Sequence, residues 1–378
     1  MAALMDDLVD EVLLRIPPDE PASLVRAALV CKRWRSIVTE PGFRRRFRQF
    51  HGTPPLLGVL CHMTSYPYFN DGHDFDPLPT THFVPTFSLS FCPTHASHYR
   101  WRHGDVRHGR ILLYGVPWRV DYHMNNIVVW DPITDDWQEL PKLPTMRMNY
   151  TCNWNIAIAC AAGDRCDHLD CHRGPFLVIF MGINYQEIFT YVYSSESNVW
   201  SERISSERRY RWTFTEQLPA VLVGNSVYFL VHMNKGIVRF DLNLKQISAI
   251  SLPCTLLNQR IMLMAMEDRR SLGYGTVSES KVFIWEVYCD LGDYSRLGPN
   301  RVIDLEKLMP ASALEQTPVV NGFIDGLSRV LFIWTVDGFF TVDMKSEHVR
   351  EISKCCAFDR VITYFSFYTP GTLNMSRP

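Results

Sequence analysis

The stretch VVWDPITDDWQELP, Val128 to Pro141, decides the fold. Two valines and Trp130 lead into Asp131, PITDD follows, and Trp137 restores apolar character six positions after that aspartate. An apolar run, a compact polar turn and a second apolar residue in this order predict a β-hairpin. The arrangement returns at Phe240-Asp241…Ile247 and Val342-Asp343…Val349, and at Tyr193-Ser194…Trp200 with serine in the aspartate position. The residues between (SESNV, LNLKQ, MKSEH) are polar or turn-forming, and two copies run on into Leu-Pro, as QELP and ISLP. Their spacing lies in the range of solenoids and propellers, so the pattern predicts a repeated hairpin.

Working outward, short apolar strands precede or separate the copies: ILLYG from Ile111, FLVIFMG from Phe176, SVYFLVH from Ser226, KVFIWEV from Lys281 and VLFIWTV from Val330. Little helical periodicity interrupts them beyond a short turn at Asp304 to Met309. At ~40–50 residues per blade, about six four-stranded blades fit. LLGVLC (Leu56–Cys61) and VITYFSFY (Val361–Tyr368) can pair to close such a ring. A pair of β-sandwiches is the structural alternative.

The first fifty residues obey a different period. Leu8, Val9, Val12, Leu13 and Ile16 share one helical face, with Asp6, Asp7, Asp10 and Glu11 opposite, and Pro17 and Pro18 end the helix. Ser23 is positioned to cap a second helix whose apolar face is Leu24, Ala27, Val30, Trp34 and Ile37. Pro41 starts a last short turn with Phe43 and Phe47. Three helices this short cannot bury so much apolar surface among themselves, so the rest of the chain or a partner should cover the excess. The expected organisation is a three-helix all-α domain over 1–48, a linker over 49–55, an all-β propeller-like domain over 56–372 and a tail over 373–378.

The 378 residues are 47% hydrophobic and 21% charged, with a formal net charge of -2. That balance gives no general pull toward nucleic acid or anionic membrane. Arg26, Lys32, Arg33, Arg35 and Arg44 to Arg46 could suggest a basic recognition helix, but the acidic first helix leaves no broad basic footprint. Eleven cysteines, an odd number, run from Cys31 to Cys356 without a framework spacing. The acidic start MAALMDDLVDE is unlike a secretory signal, and no apolar run nears the ~18 residues of a membrane span. The expectation is an intracellular protein with reduced thiols, in the cytoplasm and/or nucleus.

Two resemblances follow from these residues. Leu4 to Pro17 (LMDDLVDEVLLRIP) with Ser23 to Val38 (SLVRAALVCKRWRSIV) resembles an F-box, through D-L-V-x-E-V-L, R-I-P and V-C-K-x-W in order. This resemblance implies docking to the SKP-type adaptor of a cullin-based (SCF) ubiquitin ligase. It also implies that Leu8, Val12, Leu13, Ile16, Pro17, Leu24, Val30, Cys31 and Trp34 contact or support the adaptor. The body is similar to the F-box-associated, kelch- or propeller-like domain of plant F-box proteins, especially the grass expansion. The stretches that carry this are VVWDPITDDWQELPKLP, DHLDCHRGPFLVIFMG, LVGNSVYFLVHMNKGIVRFDL, ESKVFIWE and GFFTVDMKSEHVREI. Together the resemblances imply a non-catalytic substrate receptor with an unknown protein target. A propeller enzyme, a small-molecule-binding module and a non-degradative scaffold are the alternatives.

Motifs for chemistry are sparse. There is no G-x-S-x-G, Walker A loop, H-E-x-x-H or G-x-G-x-x-G, and GYGTVS (Gly273–Ser278) sits in a strand context. Asp135 and Asp136 fall in a hairpin turn, where exposure is the default. Cys166, His168, Cys171 and His172, with Cys160 nearby, form the densest set of metal-type ligands. They contain no C-x-x-C pair, and neighbours such as Cys171 and His172 often cannot both hold one ion. A blade-connecting loop is therefore expected there, with no metal and no cofactor. NDGHDFD (Asn70–Asp76) lacks the acidic spacing and closing glutamate of a calcium loop and reads as a polar loop.

Overall fold

A computed structural model describes residues 2–63, 80–85, 97–99, 101–115, 126–144, 153–163, 166–168, 171–184, 186–206, 218–231, 236–252, 261–266, 270–287, 299–315, 318–323, 330–335, 337–343, 346–353 and 358–369. Asn70–Asp76 and the expected tail lie outside them.

Four helices open the chain: α1 (Ala2–Leu14), α2 (Pro21–Val30), α3 (Lys32–Thr39) and α4 (Pro41–His51). Three were expected, because Leu24 to Ile37 keeps one helical period. The break falls at Cys31, whose backbone is extended (φ -159°, ψ 164°) and whose Sγ accepts a hydrogen bond from the Trp34 N–H (3.4 Å), capping α3. Helix α2 begins at Pro21 with Glu20 as its cap residue, so Ser23 is not the cap; its hydroxyl instead donates to Glu20 Oε2. The expected short turn at Pro41 is a full helix running past residue 48 to His51, ended by Gly52 in the left-handed region (φ +68°). Leu13, Leu24, Ala28, Val38, Phe43 and Phe47 fill the core between the helices, and Phe367 from the far end of the chain packs among them. The Phe47 and Phe367 rings meet edge to face with centroids 6.2 Å apart.

The described strands form six antiparallel sheets. Strands β1 (Leu56–Met63), β2 (Thr80–Pro85) and β3 (Ser97–Tyr99) pair in order and belong to a sheet completed last. Next come β4 (Trp101–Arg107), β5 (Arg110–Gly115), β6 (Ile127–Asp131) and β7 (Asp136–Glu139). Strands β8 (Asn153–Cys160), β9 (Phe176–Ile183), β10 (Ile188–Ser194) and β11 (Val199–Trp200) form the third, with β12 (Ile204–Ser206) also on β10. The fourth has β13 (Val221–Val223), β14 (Ser226–Leu230), β15 (Gly236–Asp241) and β16 (Gln246–Ser251). The fifth has β17 (Ile261–Ala265), β18 (Leu272–Ser278), β19 (Lys281–Glu286) and β20 (Arg301–Asp304); the sixth has β21 (Val319–Phe323), β22 (Val330–Thr335), β23 (Gly338–Asp343) and β24 (Val349–Ser353). Finally β25 (Phe358–Phe365) returns to pair with β1, Leu60 opposite Ile362 and Cys61 opposite Val361.

Five sheets are thus built of consecutive strands, and the remaining one joins the two ends of the β domain. Each pair of neighbouring sheets shares an apolar layer: Leu112 and Val129 with Ile156 and Phe180, Ile179 and Met181 with Phe229 and Val238, Tyr228 and Ile237 with Leu263 and Tyr274, and Val282 and Ile303 with Leu331 and Val342. Leu60 and Tyr364 share a layer with Ile111 and Trp130, while Phe332 meets Phe365 across the other side. Closure back onto the starting sheet makes the fold a β-propeller, not a pair of sandwiches. Strand β25 packs beside β4 and β21, in the place the first strand takes in the other sheets. The C-terminal strand therefore closes the ring from inside, and both ends of the domain are hydrogen-bonded into one blade.

The sequence repeat is the third and fourth strands of a blade with the turn between. Trp130 opposes Trp137, Tyr193 opposes Trp200, Phe240 opposes Ile247 and Val342 opposes Val349. The aspartate builds the turn: Asp131 Oδ1 accepts from the N–H groups of Ile133 (2.9 Å) and Thr134, and Asp241 Oδ1 from Asn243 and Leu244. The last turn residue takes positive φ in each copy, at Asp135, Asn198, Lys245 and Glu347. Asp135 also accepts from Trp130 Nε1 (3.1 Å), so it braces the hairpin.

Near the first strands lies a buried polar network. Asp105 and Arg107 on β4 form an ion pair (Nε–Oδ2 3.0 Å) with both side chains 2% exposed. Asp105 also accepts from the N–H groups of Val106 and of Ile158 on β8, and Arg107 donates to the Ala220 carbonyl. Asn155 Nδ2 donates to the Leu218 carbonyl (2.9 Å). Burial raises the Asp105 pKa, while Arg107 and the two backbone donors pull it down. The network ties together three successive blades.

Candidate docking site and thiol cluster

The residues expected to contact or support an adaptor separate into two groups. Leu13 and Leu24 are core residues of the helical unit, and Ile16 and Trp34 are half-buried against that core. Leu8, Val12, Pro17, Val30 and Cys31 are exposed. Leu8 and Val12, 62% and 60% exposed, lie one turn apart on α1. Val30, 65% exposed, sits at the end of α2, where the extended Cys31 turns the chain. Leu29, 70% exposed, stands beside it and was not among the expected contacts. Its signal was available: a leucine in L-V-C-K-x-W that lies off the Leu24–Ala27 face has no intrahelical reason to be apolar. Isolated exposed apolar residues are ordinary, and these four stand out by falling on one small unit.

The neighbouring arginines have partners within the chain. Arg46 pairs with Asp10 of α1 (2.7 Å), Arg45 pairs with Asp167, and Arg48 is buried with Nη1 3.4 Å from His172 Nδ1. These contacts fix α4 to α1 and to the propeller. His51 adds a ring nitrogen 2.9 Å from the Leu14 carbonyl oxygen.

The metal-type residues are also rearranged relative to expectation. Ligand atoms of Cys160, Cys166, His168 and Cys171 lie within 4.8 Å of one another. His172 does not join them; its ring turns toward Arg48, and burial with the surrounding arginine charge lowers its pKa to about 3. Cys160, the last residue of β8, takes the place expected for His172. Burial raises the Cys160 and Cys171 thiols above their ordinary range. The His168 ring stacks on His108 at 4.4 Å. Among the described residues no helix is long and apolar enough to cross a membrane.

Residues 4–46 match the family model described as the F-box domain. No curated protein matches the chain. Among solved structures it is similar to a prolyl endopeptidase (11% identity, TM-score 0.39, 78% of this chain and 39% of that one). It is also similar to the WD40 domain of SCAP from fission yeast (11% identity, TM-score 0.35, 66% and 54%). A third is a putative 6-phosphogluconolactonase from Bacteroides uniformis (8% identity, TM-score 0.37, 82% and 99%). The chain thus spans less than two thirds of the first two of these chains. At this distance the likenesses say nothing of its activity, and the closed ring of sheets itself defines the fold.

Proposed function

We propose that the chain is the substrate-recognition subunit of an SCF-type cullin-RING ubiquitin ligase, of the kind found in plants with a propeller-like domain behind the F-box. The F-box docks a SKP-type adaptor, and through it a cullin; the propeller holds a target protein. The observation that carries this reading is the exposed apolar set Leu8, Val12, Leu29 and Val30 on an F-box whose own core is already filled by Leu13, Leu24, Phe43, Phe47 and Phe367. Burying such side chains against a partner is worth roughly 1.5–3 kcal/mol each. The mechanism is proximity: a bound target's lysines are held at high effective concentration near the conjugating enzyme, so this chain needs no catalytic side chain. Work in the cytoplasm and/or nucleus accords with that role.

Co-expression with a SKP-type adaptor tests it. The full-length chain should co-elute with the adaptor, and Val12→Asp with Val30→Asp should abolish co-elution while the chain stays soluble and folded. Leu13 is unsuitable for this test, since a charge at a core position would unfold the helices whatever their partner. Folded wild-type protein that leaves the adaptor unbound overturns the proposal.

A further inference from the structure

The connection between β8 and β9, residues 161–175, is an outlier among the inner hairpins. In the same place of their sheets, between first and second strands, His108-Gly109 joins β4 to β5 and Gly224-Asn225 joins β13 to β14. Two residues suffice at those places, whereas here the chain makes a long excursion and closes at its neck through the Ala161 N–H to the Pro175 carbonyl (3.0 Å). Loops of this length inside compact domains need a specific reason to be ordered. The sequence AAGDRCDHLDCHRGP offers almost no apolar side chains for a core of its own. It offers two thiols and two imidazoles, and the fold gathers three of these four, with Cys160, into one cluster.

We propose that Cys160, Cys166, His168 and Cys171 bind one Zn2+ ion, which organises this loop. The set Cys160-x5-Cys166-x-His168-x2-Cys171 supplies three thiolates and one imidazole, a donor set suited to structural zinc. With Zn–S of about 2.3 Å and Zn–N of about 2.0–2.1 Å, tetrahedral ligand atoms stand about 3.5–3.8 Å apart. The four ligand atoms already lie within 4.8 Å of each other, with Cys171 Sγ and His168 Nδ1 at 3.6 Å. His168 takes a left-handed backbone conformation (φ +55°), a conformation with a steric cost for a non-glycine residue, which turns its ring into the cluster. Binding releases the three thiol protons, leaving a complex of net charge -1. The buried Arg110, which donates to the Gly174 carbonyl and feels Cys160 and Cys171, is the nearby cation that balances it. Four protein ligands leave no open position, so the ion is structural, not catalytic.

The ion has a mechanical consequence. Asp167, between two ligands, pairs with Arg45 of α4, and His172, next to a third, meets Arg48 of the same helix. Zinc therefore fixes the propeller residues that hold the last F-box helix. This inference stands independently of the ligase reading, since it rests on the loop's own ligands.

The test is metal content and cobalt spectroscopy of the full chain purified under reducing conditions. Elemental analysis should find about one zinc per chain, and Co2+ exchanged into the protein should show thiolate-to-cobalt charge transfer with the intense d–d bands of a tetrahedral site. Cys166→Ser and His168→Ala should each lower retained zinc about tenfold or more. His172→Gln should retain it, which separates the geometric set from its neighbour in sequence. If a ligand variant does not fold, the wild-type metal content and cobalt spectrum still decide. Metal-free protein that gives no tetrahedral cobalt spectrum overturns the proposal. So does stoichiometric iron or copper in place of zinc, or a disulfide among Cys160, Cys166 and Cys171 in protein made in a reducing cytosol.

Discussion

The helical unit and the propeller treat surplus apolar surface in opposite ways. Around the ring every sheet finds a neighbour on each side, and among the described residues the exposed large hydrophobics there, Val199, Leu244 and Val302, are scattered singly over three sheets. In the first fifty-one residues Leu8, Val12, Leu29, Val30 and Phe50 are all exposed, although the unit also borrows Phe367 from the C-terminal segment to finish its core. A closed ring satisfies itself, whereas a unit of four short helices has too little interior and is completed in part by its own chain through Phe367; the proposed adaptor would cover the rest. Mutations at the two kinds of place should therefore fail differently.

The largest effect should come from inside the ring. Asp105→Ala leaves the Arg107 guanidinium buried without its carboxylate and removes the acceptor for Ile158, so the propeller should lose about 3–5 kcal/mol in denaturant unfolding. A loss below about 1 kcal/mol would show that water relieves the buried charge. Phe367→Ala should follow, at about 3 kcal/mol, because it opens a cavity against Phe47. Its signature should differ: α-helical signal should melt before β-signal, since the residue completes the helical core. A single coincident transition would mean that the two units unfold as one.

A smaller, graded effect is expected in the blade turns. Asp241→Ala removes the turn acceptor and a part-exposed ion pair with Arg239 (3.1 Å), and should cost about 1 kcal/mol. Asp131→Ala should cost somewhat more, because Asp131 Oδ1 also lies 3.5 Å from the hydroxyl of Tyr364 on the closing strand. Equal losses by thermal unfolding would detach that aspartate from ring closure.

These turns show what was legible in the sequence. The step from Asp131 to Trp137 is a local hydrogen-bonding unit repeated in several blades, so four residues of turn chemistry announced both hairpin and repeat. Ring closure was legible for a similar reason: Leu56–Cys61 and Val361–Tyr368 were apolar strands left without local partners. The break at Cys31 was not, because the apolar period continues unbroken through it and a cysteine is not among the usual cap residues. Leu29, by contrast, was legible, since a leucine off the Leu24–Ala27 face has no intrahelical reason to be apolar. The thiol cluster was half visible. Residue types and density pointed to it, but the choice of Cys160 over His172 depends on where β8 stops and which way a left-handed His168 turns, neither of which sequence spacing encodes.

The smallest expected effect lies at the joint between the two regions. Arg45 and Asp167 are about half-exposed, so their pair should contribute only ~0.2–1 kcal/mol in a double-mutant cycle of Arg45→Ala with Asp167→Ala, and less at high salt. That small figure is informative because the two residues belong to differently stabilised parts. Arg45 rides on a helix packed through Phe43 and Phe47, and Asp167 on a loop with scarcely any apolar side chains. If α4 holds the loop without help from the four candidate ligands, the coupling should be the same whether or not they are intact. If the ligands order it, Cys166→Ser should erase the coupling, because an unordered Asp167 samples too many positions to hold one partner. Coupling measured in the two backgrounds thus distinguishes a loop held by the helix from a loop that holds the helix.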